Sequence, residues 1–115
     1  IEYLNYDMAN LQVEVFKIIF LDTQNVFINE KTIVVGTIDK SYIYPRELLK
    51  EIFEHNAKSV IFAHNHPSGN LNPSKADINF TNSMRNLLKE LEINLLDHVI
   101  IGTSGHYSFL EENLL

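Results

Sequence analysis

The first strongly apolar block along the chain is VEVFKIIFLD, residues 13–22, rich in Val, Ile and Phe and followed by the polar run Asp22-Thr23-Gln24-Asn25. A β-branched and aromatic run bounded by turn residues predicts a strand. VFINEKTIVVGT, residues 26–37, repeats the pattern and reads as its hairpin partner, closed by Gly36. The period then changes. In SYIYPRELLKEIFEHNA, residues 41–57, Leu48, Leu49, Ile52 and Phe53 fall on one stripe, with Arg46, Glu47, Lys50, Glu51 and Glu54 opposite. This is the signature of an amphipathic helix, and Pro45 suits its first helical position. SVIFAHNH, residues 59–66, is short and apolar at its start and predicts a buried strand. PSGNLNP, residues 67–73, carries only turn chemistry, and the pattern becomes helical again from Ser74 to about Glu92. INLLDHVIIGTSGHYSFL, residues 93–110, predicts two strands around the GTSG turn. The opening segment IEYLNYDMANLQ, residues 1–12, is compatible with a short helix; it lacks an initial Met and reads as the end of a longer chain. Helices alternating with strands place the chain in the α/β class, or α+β as the alternative, with one mixed sheet flanked by helices. At 115 residues the chain is one domain, residues 1–115.

The densest chemistry lies where the third predicted strand ends. AHNHPSGNLNPSKAD, residues 63–77, places two histidines one residue apart and follows them with Ser74 and Asp77. Side chains alternate across a strand, so His64 and His66 leave it on one face, and two imidazoles on one face can close on one ion. On the following helix, steps of 3.6 residues from Asp77 meet Phe80 or Thr81, Met84, Leu87 or Leu88, and Leu91. That stripe must pack inward, so Asp77 begins the buried face and requires a cation or a set of donors. His64, His66 and Asp77 together make a three-ligand set, with a fourth position for water.

Each piece also has a plainer explanation. Ser74 with an acidic residue three positions on forms a capping box, and isolated histidines are most often core or loop residues. The literal string HNH carries no weight, because nucleases of that name draw their residues from separate elements. The convergence of all four residues at fixed spacing is what the plainer explanations leave over.

Composition narrows the chemistry. There is no cysteine, which removes disulfides, zinc fingers and thiolate metal sites. The formal net charge is −6, and nine basic residues are spread along the chain without a cluster, so this domain alone is a poor binder of nucleic acid. No apolar run approaches the ~20 residues of a membrane span, and no segment reads as a signal peptide, which makes a cytoplasmic location the default expectation.

His-x-His, seven residues, then Ser-x-x-Asp is the JAMM (MPN+) metalloprotease signature, met here by His64, His66, Ser74 and Asp77. With HNHPSG, NPSKAD, the upstream YPREL and the downstream LLDHVIIG, the chain from about Glu14 onward resembles the bacterial RadC-like family. The resemblance implies a cytidine-deaminase-like fold and a zinc-dependent metallopeptidase acting on an amide or isopeptide bond. It implies one zinc ion on His64, His66 and Asp77, a peptide or protein substrate, and Ser74 assisting at the developing oxyanion. It also implies an upstream glutamate as general base. Glu14, at the start of the first core strand ahead of Phe16, Ile18 and Phe20, matches that place. Glu30 is the second choice, and Glu2 and Glu47 sit in less suitable settings. Asn65 departs from the Ser or Thr found between the histidines in eukaryotic deubiquitinating members, which weakens the case for a ubiquitin-like substrate. Histidine and aspartate also accept other divalent ions. Two alternatives belong to other classes: a non-catalytic MPN-type interaction module, and a DNA-repair factor, as an older label of the family has it. Of the remaining candidates, His98 reads as a packed strand histidine before a residue supporting the site. His55 and His106 read as surface residues, and Tyr42 and Tyr44 as core edge.

Overall fold

The structure, a computed structural model, describes residues 3–4, 8–35 and 43–115. Gly36, Tyr42 and Glu2 lie outside the described residues, so the expectations placed on them stay with the sequence. Tyr3, Leu4 and Met8 are helical, and the elements then run β1 (Val15–Leu21), β2 (Phe27–Val35), α1 (Pro45–Glu54), β3 (Ser59–Asn65), α2 (Lys75–Glu90), β4 (Asn94–Gly102) and β5 (Gly105–Ser108). The strands form one sheet in the order β2-β1-β3-β4-β5. Among the described residues only β3 and β4 pair in parallel, as expected when a crossover helix joins them; β1 pairs antiparallel with both β2 and β3, and β4 with β5.

The alternation of side chains sorts the sheet into two faces. One face carries Phe16, Ile18, Phe20, Val60 and Phe62, which pack with Leu48 and Ile52 of α1 and with Met84 and Leu88 of α2. The other carries Val15, Ile19, Leu21, Ala63, Val99 and Ile101, packed against Leu4 and Met8. β1 is buried along its whole length because both of its faces are covered. The stripe predicted for α2 is realised, with Asp77, Thr81, Met84 and Leu88 buried. The stripe predicted for α1 is narrower than expected. Leu48 and Ile52 are buried and Leu49 packs against the core, but Phe53 and Tyr44 are exposed. Tyr44 is therefore not a core-edge residue: it stands at the N-cap of α1, outside the packed stripe.

Helix ends are closed by local chemistry. Both helices end with a left-handed residue, Asn56 at φ 52° and Glu92 at φ 59°. Behind each, the next amide turns back into the helix: Ala57 N–H donates to Ile52 C=O at 3.1 Å and Ile93 N–H to Leu88 C=O at 2.9 Å. These turns deliver the chain into β3 and β4 side by side. Their parallel register shifts once, between Val60 and Ile61, before it reaches the site residues.

Candidate metal centre

His64 lies at the C-terminal end of β3, on the face covered by α1 and α2. It sits directly across from Phe16 in the β1–β3 pairing. Beyond β3 the backbone keeps one more sheet bond, His66 N–H to Ile101 C=O at 2.9 Å, so the chain stays extended through His66. Two residues apart, the two imidazoles emerge together as the spacing predicts, with Nε2 atoms 2.8 Å apart. The chain then turns through His66-Pro67-Ser68-Gly69, where Gly69 N–H donates to His66 C=O at 2.9 Å and Gly69 adopts φ +87°, a conformation that favours glycine. Leu71 anchors the rest of this loop on the β4–β5 turn. Its side chain lies so close to Gly102 that a Cβ there would meet it at 2.7 Å.

The loop feeds α2 through a capping box. Ser74 Oγ accepts the Asp77 N–H at 3.0 Å, and Asp77 Oδ2 accepts the Ser74 N–H at 2.9 Å. The plain explanation for this pair is therefore correct, and it also serves the site. The reciprocal bonds point the buried Asp77 carboxylate at the histidines, with Oδ1 3.7 Å from His64 Nε2 and Oδ2 3.7 Å from His66 Nε2. Ligand-competent atoms of His64, His66 and Asp77 all lie within 4.8 Å of one another, a group that could hold a metal ion.

The donor chemistry fits a cation. His66 Nδ1 lies 2.6 Å from Asn70 C=O, which can only accept, so the ring proton sits on Nδ1 and the Nε2 lone pair faces His64. His64 is fully buried and Asp77 is 3% exposed, so electron-rich atoms converge where little water reaches them. A positive ion relieves that repulsion. Zinc with bonds of ~2.0–2.2 Å in a tetrahedral site spaces its ligand atoms roughly 3.3–3.5 Å apart. The two Nε2 atoms, 2.8 Å apart, must open slightly, and the carboxylate, which offers a different oxygen to each ring at 3.7 Å, must draw in for one ion to be held.

The remaining candidates separate cleanly by position. Glu14 is half-buried and immediately precedes β1. It stands two residues before Phe16, the spacing that returns a side chain to the same face of an extended chain. Glu30 pairs with Ile19, which pairs in turn with Ile61. Residues 61 and 64 point to opposite faces, so Glu30 lies across the sheet from His64, where its carboxylate meets Lys17 Nζ at 3.5 Å. Glu47 is exposed on the first turn of α1. His55 is half-buried instead of surface-exposed, its ring stacked on Phe20 at 4.1 Å; His106 is likewise half-buried, 3.6 Å from Glu111.

Thr81 and Asn65 gain a role that the sequence did not assign, and His98 takes the one ranked second for it. His98 is fully buried, but packing is only part of its placement: its Nε2 lies 2.7 Å from His64 Nδ1 and its Nδ1 lies 2.6 Å from Thr81 Oγ1. This corrects its reading as a packed strand histidine. A polar ring inside LLDHVIIG was the available signal, since buried polar atoms need partners. Thr81 was visible as the residue one helical turn beyond Asp77. Asn65, between the histidines, points to the opposite face and holds the β1 backbone: it accepts Val15 N–H at 2.6 Å and donates to Val13 C=O at 2.8 Å. Those bonds flank Glu14.

A mixed sheet with a His-His-Asp cluster beneath a helix N-terminus defines a metal-competent domain of the JAB/MPN kind. The chain belongs to the RadC-like JAB domain family, whose model matches residues 1–114. It is 45% identical over 114 residues to a UPF0758 protein of Pseudoalteromonas translucida, covering 99% of this chain and 51% of that protein. It is 43% identical over 115 residues to a UPF0758 protein of Fusobacterium nucleatum, covering 100% and 50%. Against the UPF0758 protein YkfG of Escherichia coli it is 42% identical over 114 residues, covering 99% and 72%. The chain thus spans about half the length of the first two relatives. Among the described residues, no helix is long and apolar enough to cross a membrane.

Proposed function

We propose that this domain is a zinc-dependent hydrolase that cleaves an amide or isopeptide bond in a peptide or protein. The observation that carries the proposal is the convergence of His64, His66 and Asp77 within 4.8 Å at the C-terminal end of the central strand β3. When bound there, zinc would polarise the scissile carbonyl and bring the pKa of its water to near 7.

The chain's own groups supply the rest. Asp77 holds its orientation through the Ser74 backbone amide, so the capping box doubles as a support for the ligand set. Glu14 takes the proton of the attacking water and returns it to the leaving amine. Its position two residues before Phe16, with Val13 and Val15 tied to Asn65, supports that role. Glu30 is disfavoured by its place on the opposite face and by its pairing with Lys17. The Ser74 hydroxyl accepts from Asp77 N–H and keeps its own proton to donate to a developing oxyanion. The N-terminus of α2 favours negative charge at the same spot.

The test is cleavage by the metal-loaded protein of a peptide library, with DNA as the parallel substrate. Amide cleavage that disappears with a chelator and in Glu14→Gln supports the proposal. Cleavage of DNA alone, or peptide cleavage indifferent to the chelator, overturns it.

A further inference from the structure

One continuous run of hydrogen bonds leads from the backbone of α2 to the ring of His64. Thr81 Oγ1 donates to Asp77 C=O at 2.7 Å, lies 2.6 Å from His98 Nδ1, and His98 Nε2 lies 2.7 Å from His64 Nδ1. Thr81, His98 and His64 are all fully buried. Donor bookkeeping gives this run a direction. A carbonyl can only accept and a hydroxyl owns one proton, so the Thr81 proton goes to Asp77 and Oγ1 faces His98 as an acceptor. His98 Nδ1 therefore carries the ring proton. A neutral imidazole has only one, so His98 Nε2 accepts and His64 Nδ1 donates. The remaining nitrogen of His64, Nε2, is left as a lone pair directed at His66 and Asp77.

We infer that His98 and Thr81 are positioning residues that lock His64 in its Nδ1–H tautomer and aim its Nε2 lone pair into the metal site. The inference rests on the reading of His64, His66 and Asp77 as metal ligands. Reversing the run would carry a proton onto His64 Nε2 and block the ligand position. It would also turn the single Thr81 proton from the Asp77 carbonyl to His98 Nδ1, and so break the bond that ties the run to the backbone of α2. Aromatic neighbours fix the His98 ring in place. It stacks on Phe109 with centroids 4.7 Å apart, and Phe16 and Phe62 meet it edge to face at 6.0 Å. The run also joins two ligand residues, because the carbonyl that orients Thr81 belongs to Asp77 itself. His66 takes its tautomer from a separate source, the Asn70 carbonyl.

Two measurements test this. Long-range proton–nitrogen correlation spectra of the Zn2+-loaded protein report which nitrogen carries each proton. Nδ1–H on both His64 and His98 is expected, and Nε2–H on either overturns the inference. Competition titration with Zn2+ alone then compares variants that remain folded. His98→Phe should weaken Zn2+ binding about 10–100-fold and Thr81→Val about tenfold, while Thr81→Ser, which keeps the hydroxyl, stays within about twofold of the unaltered protein. Equal affinity in Thr81→Val and Thr81→Ser overturns the relay. If the unaltered protein binds no Zn2+, the metal-site reading fails by itself, and the same spectra of the metal-free protein still decide the direction of the bonds.

Discussion

Asn65 Oδ1 accepts the Val15 N–H at 2.6 Å, joining the strand of the two histidines to the strand led by Glu14 just beyond their last ladder pair, Phe16 with His64. The same side chain donates to Val13 C=O at 2.8 Å, so the backbone on both sides of Glu14 is held from one point. Replacing Asn65 by Ala strands two backbone groups, with an expected loss of about 1–3 kcal/mol in stability. Hydrogen exchange at the Val15 amide should accelerate. Metal stoichiometry should survive while turnover falls, since the proposed ligands stay and Glu14, the proposed general base, drifts. Unchanged exchange at Val15 would deny the clamp.

The two carboxylates that compete for the role of general base give opposite phenotypes. Glu14→Gln should retain metal and melt near the unaltered temperature, yet lose two to four orders of magnitude in turnover, on the order of what a general base supplies. Glu30→Gln should do the reverse. It weakens the pair with the buried Lys17, costing roughly 1–3 kcal/mol, and leaves turnover nearly intact. Collapse of turnover in Glu30→Gln alone would transfer the role.

Ser74 separates stability from chemistry. Its side chain caps α2 by accepting the Asp77 N–H, so Ser74→Ala should cost about 0.5–2 kcal/mol. Ser74→Gly should restore most of that, because glycine caps nearly as well, while turnover stays low in both variants. Thermal melts set beside rate measurements distinguish the two contributions. Recovery of both in Ser74→Gly would leave the serine as a cap only.

Much of this centre was legible residue by residue. His64 and His66 had to share a face because they are two apart on a strand, and Asp77 had to turn inward because Met84 and Leu88 lie below it on the helix. What the sequence could not supply was register. Glu14 and Glu30 look alike beside their apolar runs, and only the pairing of Ile19 with both Glu30 and Ile61 shows that Glu30 faces away from His64. Thr81 and His98 meet through the packing of α2 against β4, across 17 residues of chain, so neither announces the other. Asn65 reaches Val13 and Val15 across 50 residues or more for the same reason. Phe53 and Tyr44 fail in the opposite direction: amphipathic spacing marks a stripe, but the sheet beneath α1 covers only its Leu48 and Ile52 side.

Occupied ligands should also stabilise the fold. An ion that binds only the folded state adds about 2.7 kcal/mol at a hundredfold excess over its Kd, so chelation should lower the melting temperature and Zn2+ should restore it. His66→Ala removes a partly exposed ligand with little loss of packing, and its melting temperature should not respond to Zn2+.

The most direct measurement of the central claim is element-resolved metal content of the purified protein, taken in parallel with a His64→Ala, His66→Ala double variant. One equivalent of a divalent metal, zinc by expectation, should accompany the unaltered chain and be absent from the variant. A full equivalent retained by the double variant would contradict the assignment of this site.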